Sequence, residues 1–315
     1  MRDKPIVPIY FLFVLIFVIV VVSARNIPST TNDYKMIEQV EKKEDLEQED
    51  IDEEEEQEDE EDHPAIHEIN VRIQRDSNIM YGDILSKPEV GFQRAIVKYN
   101  GYNRWETNVV PYVIANQFTR HEKIMIRVSL RRLQFRTCFK FPKKTNQRDY
   151  VYIARRNGCF SELGRRGGGQ LLSLGRGCVH KSIIQHEMMH ALGIHHEHQR
   201  PDRDNYLKVL FNNVQSGMES QVTKLSHEFV SLNGIEYDYR SIMHYNGDAF
   251  GKPAGNGRLL QTLVPLEDGV KLRRNKRLTR TDIKRLNILG NCKAVKNKRH
   301  RRHHRRNRKH SSRRN

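Results

Sequence analysis

Hydrophobic and polar positions change rhythm several times along the chain, and each change predicts a different kind of segment. Ile9 to Val22 is an unbroken apolar run behind a short polar start, followed by Ser23 and Ala24. That order fits a signal peptide over residues 1–24, with Val22 and Ala24 suiting a small-residue cleavage site. The competing reading is a type II membrane anchor, because the apolar stretch reaches back to Ile6 across Pro8. It is still shorter than the roughly 20 residues a comfortable span needs. From Glu41 to Asp62 nearly every residue is Glu, Asp or Gln, a composition that repels itself and buries too little apolar surface to offset the entropy of ordering. Alternation resumes at Val109, Val110, Tyr112 and Ile114, predicting a strand that contains the edge-compatible Pro111. Thr119-Arg-His-Glu122 has the form of a capping box, and Ile124 and Val128 behind it lie four apart, as on one helix face. Tyr150 to Ala154 and Gln170 to Leu174 read as further strands, with Gly167 to Gly169 as a flexible lead into the second. From Lys293 onward hardly an apolar residue remains, so 293–315 is expected to be a basic, unfolded tail.

Charge is divided as sharply as hydropathy. The formal +16 of the 315 residues conceals 10 Lys and Arg against 23 Asp and Glu in residues 1–94, and 45 against 16 in residues 95–315. An acidic leader is joined to a strongly basic body. The basic tail is a candidate for docking on polyanions such as sulfated glycans, and the signal peptide argues against nucleic acid as a partner. Cys138, Cys159, Cys178 and Cys292 occur in a chain that enters an oxidising route, and none forms a tight Cys-x-x-Cys pattern, so two disulfides are expected. Spacing leaves all three connectivities open. The sequence contains no Asn-x-Ser/Thr sequon, so no N-glycan is expected.

The chemistry is concentrated after Ser182. His186-Glu-Met-Met-His190 sets two imidazoles four residues apart, on one face of a helix, with Glu187 beside them. Ser182-Ile-Ile-Gln185 can cap the start of that helix, and Gly193 sits where a left-handed residue would end it. His196 follows three residues later, so a reversal at Gly193 can bring a third imidazole to one Zn2+ ion. A fourth, open tetrahedral position would remain for water, which is the mark of a catalytic zinc site. Zinc lowers the pKa of a bound water from about 15.7 to near 7, so Glu187 could act first as base and then as acid in hydrolysis. His195 and His198 fall out of register with the three ligand positions and read as surface or supporting groups.

At this point the sequence resembles the astacin family of metzincin zinc proteases. The string from His186 to Asp204 is similar to that family's extended signature, including Glu197 directly after the third histidine. Ser241-Ile-Met-His-Tyr245 resembles the family's Met-turn. The resemblance implies that Met243 packs beneath the metal and that Tyr245 ligates zinc or stabilises the transition state. It implies Cys138 with Cys292 and Cys159 with Cys178. The implied fold is α+β: a two-lobed catalytic domain over residues 95–292, with a twisted mixed sheet and the zinc helix above, little regular structure below, and a cleft between. A peptide would lie along the edge strand of the upper sheet, assigned here to Gln170–Leu174. Arg273, Arg274, Lys276 and Arg277 fall where the family helps to form the pocket for the residue after the scissile bond, which suggests acidic side chains there.

The leader, residues 25–94, carries its own resemblance. Met80-Tyr81-Gly82-Asp83-Ile84 is similar to the Phe-x-Gly-Asp-Ile segment of astacin propeptides, whose aspartate takes the zinc position that water needs. A carboxylate is a competent zinc ligand, so Asp83 is expected to keep the precursor latent. Arg94 suits a trypsin-like activating protease, and Ala95 matches the small residue that begins mature astacins. The new amino group would reach Glu197. Together these readings describe a secreted zinc endopeptidase acting on protein substrates and made as a zymogen.

Overall fold

The computed structural model describes residues 64–70, 79–80, 82–85, 104–227, 230, 232–255 and 257–292. The apolar run at 9–22, the acidic stretch at 41–62, the Arg94–Ala95 junction and the tail from 293 lie outside these residues. Among the described residues no helix is long and apolar enough to cross a membrane.

The elements in chain order are α1 (Ile66–Asn70), β1 (Ile79–Met80), β2 (Ile84–Leu85), β3 (Tyr112–Ile114), α2 (Arg120–Arg136), β4 (Tyr150–Ala154), β5 (Cys159–Glu162), β6 (Gly169–Leu174), α3 (Lys181–Leu192), β7 (Leu207–Val209), β8 (Leu263–Pro265) and α4 (Arg280–Leu289). Six strands form one mixed sheet in the order β1-β2-β5-β6-β4-β3. β3, β4 and β6 run parallel to one another, β5 is antiparallel to β6, and β2 of the leader lies parallel to β5. The architecture is the expected α+β.

Two hydrophobic cores divide the molecule. The larger one gathers Val151, Ile153, Leu172 and Leu174 from the sheet, Ile126, Leu130 and Leu133 from α2, and Ile184, Met188 and Met189 from α3. The smaller one collects Leu207, Val214, Val222, Tyr245, Phe250 and Leu263, in a region that among the described residues carries the β7–β8 pair, short 3-10 turns and isolated β-bridges. Cys138 bonds to Cys292, and Cys159 to Cys178, which is the pairing the resemblance implied.

α2 begins as its sequence dictates. The Thr119 hydroxyl accepts from the Glu122 amide at 3.2 Å, and the Glu122 carboxylate accepts from the Thr119 amide at 2.8 Å, satisfying two otherwise unpaired donors. Its buried face meets the expectation at Val128, which is buried, and departs from it at Ile124. Ile124 is 44 % exposed, and the inward stripe runs through Ile126, Leu130 and Leu133, the 4-then-3 spacing of a helix laid on a sheet.

Two other expectations are corrected. Ser182 does not cap α3: the cap position is His180, whose side chain does not cap the helix, and Ser182 lies inside the first turn. The helix starts earlier because Ile183 and Ile184 are both required in the core. Gln170–Leu174 is not an edge strand. β6 lies between β5 and β4, and its residues from Leu172 to Leu174 are all buried, as an interior strand requires. The edge facing the leader is β5, a four-residue strand too short to announce itself in the sequence.

Candidate metal centre

α3 is buried along its whole length, and it carries His186 and His190 one turn apart on the face turned toward the chain that follows. Gly193 ends it at φ +111°, with its amide bonded to the carbonyls of His190 and Met189. That left-handed step is open to glycine at little cost. The reversal delivers His196 to the other two rings. The three Nε2 atoms lie 3.1, 3.2 and 3.3 Å from one another.

The other ring nitrogens explain why those atoms converge. His186 Nδ1 donates to the Ile242 carbonyl at 2.8 Å, His190 Nδ1 to the Ile194 carbonyl at 2.7 Å, and His196 Nδ1 to the Gln199 side-chain oxygen at 3.2 Å. With each proton held on Nδ1, three Nε2 lone pairs face one point. Asp83 faces the same point: its Oδ2 is 3.0 Å from His186 Nε2, and its Oδ1 is 3.2 Å from His190 Nε2 and 3.0 Å from His196 Nε2. Three lone pairs and a buried carboxylate repel one another unless a cation lies between them. Four donors about 2.0–2.1 Å from one tetrahedral ion would stand roughly 3.3–3.4 Å apart, close to the spacings observed. The set His186, His190, His196 and Asp83 therefore fits one Zn2+ in both chemistry and size.

Glu187 projects from the same helix and is fully buried. Neither carboxyl oxygen has a hydrogen-bond partner among the described residues. Burial, and then the Asp83 carboxylate, hold its pKa well above the usual range. The Tyr245 hydroxyl donates to Asp83 Oδ2 at 3.3 Å. Burial, then Asp83 and Glu187, raise the pKa of that phenol as well, so it remains a donor.

Met243 is fully buried in the larger core, and its carbonyl accepts from the Glu197 amide at 3.0 Å. Glu197 binds Arg285 Nη2 at 2.5 Å, Arg200 Nη1 at 3.2 Å and the Asp238 amide at 2.8 Å. Burial pushes its carboxyl up to about 7 against the pull of both guanidinium groups. His198 is buried behind the cluster, stacked on Tyr245 with ring centroids 4.5 Å apart, and its Nε2 donates to the Gln221 carbonyl at 3.2 Å. It supports the ligand layer. His195 is half-buried beside it in sequence.

Three groups that sequence reading missed complete the site. Asp282, in the first turn of α4, accepts from the Ser241 hydroxyl at 2.6 Å and the Ile242 amide at 3.0 Å. It thereby sets the turn whose Ile242 carbonyl orients His186. Its signal was the Thr279-x-x-Asp282 capping box, which is formed. Arg285, one turn on, pairs with Glu197. Asn70 of α1 had no sequence signal. A cavity of about 40 Å³ beside His186 is lined by Ile66 and His67 of the leader and by Ile183, His244 and Arg274. Of the four basic residues expected to shape a pocket, Arg274 is the one in its wall.

Comparison with known proteins agrees with this geometry. The model of the peptidase family Astacin matches residues 97–290. Zinc metalloproteinase nas-12 of Caenorhabditis elegans is 41 % identical over 243 residues, covering 72 % of this chain and 63 % of that protein. High choriolytic enzyme 2 of Oryzias latipes is 42 % identical over 186 residues, covering 59 % and 64 %. The chain thus spans less than two thirds of the length of either relative. The solved structure of high choriolytic enzyme 1, a hatching-enzyme zinc protease of the same fish, superposes with a TM-score of 0.54 at 38 % identity, covering 59 % of this chain and 90 % of that one. With the match spanning both the sheet and the converging histidines, the chain belongs to the astacin family of peptidases.

Proposed function

We propose that this chain is a secreted zinc endopeptidase of protein substrates, held latent by its own leader. The observation that carries the reading is the Asp83 carboxylate closing a cluster of three outward-protonated imidazoles. Zinc in this site supplies Lewis acidity, polarising a scissile carbonyl and bringing a water's pKa to near 7. His186, His190 and His196 hold the ion. Once Asp83 leaves, water can take its place among the three imidazoles, and Glu187, next to His186 on the same helix, is placed to accept a proton from that water and later return it to the leaving amine. The Tyr245 hydroxyl, released from Asp83, donates to the oxygen on which negative charge develops. Met243 supports the ligand layer by packing. Glu187→Ala is expected to retain one zinc per chain and lose turnover by at least a hundredfold. Zinc analysis with a peptide assay checks this, and normal turnover would sink the mechanism.

The leader covers the cleft in three places: Asp83 at the ligands, β2 along β5, and α1 beside the cavity next to His186. Activation by a trypsin-like protease at Arg94–Ala95 would remove all three, leaving the β5 edge to pair with an extended peptide. The surroundings of Glu197 favour its pairing with the new amino group. Arg200 also binds Asp202, and Arg285 also lies 3.5 Å from Asp282, so Glu197 shares both of its guanidinium partners with other carboxylates. Amino-terminal sequencing of the active species tests the cut. The Arg274 wall favours an acidic residue after the scissile bond, and a peptide library without Asp or Glu enrichment there would remove that preference. The basic tail remains a candidate polyanion-docking segment, for which heparin retention before and after removal of 293–315 is the measurement.

A further inference from the structure

The leader places one carboxylate, Asp83, against three imidazoles, and the aim of that side chain depends on how the backbone on either side of it is held. Among the described residues the β2–β5 ladder pairs Ile84 with Ser161 and Leu85 with Glu162, beginning with the Ser161 amide on the Asp83 carbonyl at 2.9 Å. Asn70, the last residue of α1, continues it by a side chain. Its Nδ2 donates to the Gly82 carbonyl at 2.9 Å and to the Cys159 carbonyl at 2.5 Å, and its Oδ1 accepts from the Cys159 amide at 2.9 Å. The carboxamide offers Cys159 a donor and an acceptor side by side, as the peptide of a neighbouring strand would. Both N–H groups are used, and the residue is fully buried.

We propose that Asn70 is a positioning residue for latency: its carboxamide fastens the Gly82–Asp83 turn to the edge strand and so holds the Asp83 carboxylate against the three imidazoles. The inference rests on the reading of Asp83 as the latency ligand. The backbone of the turn is gripped on both sides, at the Gly82 carbonyl by Asn70 and at the Asp83 carbonyl by Ser161. Each end of the clamp is itself fixed. Cys159 is tied to Cys178 by a disulfide. α1 is seated by His67, buried with its ring 5.8 Å from Tyr245 and 5.5 Å from Phe250.

The test uses the full-length precursor, shown uncut by intact mass, with Asn70→Asp, Asn70→Leu and Asp83→Ala. Aspartate keeps the shape of the side chain, and leucine keeps its number of heavy atoms. Aspartate sets a carboxylate against two carbonyl oxygens, and leucine leaves them and the Cys159 amide unpaired. Two quantities are read: peptidase activity of the uncut chain relative to the same preparation after trypsin, and hydrogen exchange of the 159–162 segment. Expected for both variants is a rise of about tenfold or more in the uncut-to-activated ratio, with faster exchange at the segment. Activated rates should equal wild type, because residue 70 is then gone. Silent Asn70 variants beside a leaking Asp83→Ala would overturn the role of Asn70 and leave the switch standing, whereas a silent Asp83→Ala would overturn both. Unchanged exchange over 159–162 would defeat the clamp whatever the activities.

Discussion

Gly82 meets two demands that no other residue type satisfies together. Its φ is +92°, and a Cβ there would fall well inside the contact distance of the Tyr245 hydroxyl, so a side chain meets backbone strain and a clash with the group that bonds Asp83. Gly82→Ala is expected to shift Asp83 off the ligands and give an uncut precursor with at least tenfold higher basal activity, since displacement of a buried charge-assisted hydrogen bond costs about 1.5–3 kcal/mol. Its activated form should match wild type, and a precursor as silent as wild type would contradict this placement. The ligand residues were legible because His186, His190 and His196 follow one another within a helix and its turn. Asn70, Asp282 and Arg285 were not legible as site residues, because each acts on a partner distant in sequence and only folding shows the bond.

At the scale of elements, α4 is the least expected contributor to the centre. Asp282 caps its own helix through the Thr279 hydroxyl and amide and, with the same carboxylate, holds the Ile242 amide. Ile242 in turn accepts the His186 Nδ1 proton. A chain of hydrogen bonds therefore runs from a helix N-terminus to a metal ligand. Asp282→Asn, which keeps shape but turns one acceptor into a donor facing Ser241 or Ile242, should weaken zinc binding by about tenfold or more. Chelator competition measures that affinity, and an unchanged constant would refute the link. α2 and the Gly193 stop were readable because caps are local chemistry. β5 was hidden, because whether a short segment pairs as an edge depends on which strand folds beside it.

For the whole molecule, buried titratable groups pull stability in opposite directions with pH. Burial lowers His244 to about 4, and burial with the neighbouring His190 and His196 lowers His195 to about 3, both from 6.5. Their contribution is complete above pH 6.5 and lost as pH falls through the folded values. Glu197 has the opposite sign. Raised from 4.5 to about 7, it contributes stability fully present below pH 4.5 and lost as pH rises through 7. The chain should therefore lose stability on acidification from pH 6.5 toward 4, and Glu197→Gln, which removes the opposing contribution, should lose it more steeply. Melting temperatures of both chains across pH 4–7.5 check this, with parallel curves as the contrary result.

The sequence by itself determined the chemistry that depends on neighbours along the chain: the two histidines one turn apart, the glutamate between them, the glycine that turns the chain, the third histidine and the Thr119 capping box. These are local because helical spacing and backbone torsion are properties of a few consecutive residues. Only the tertiary structure decided that β5, rather than β6, is the strand covered by β2 of the leader, and that Asn70 grips it. It also decided that Glu197 already faces two arginines, and that Arg274 alone of its basic neighbours lines the cavity beside His186. Each of these depends on which surfaces meet when two cores close, and burial, not spacing, selects the partners.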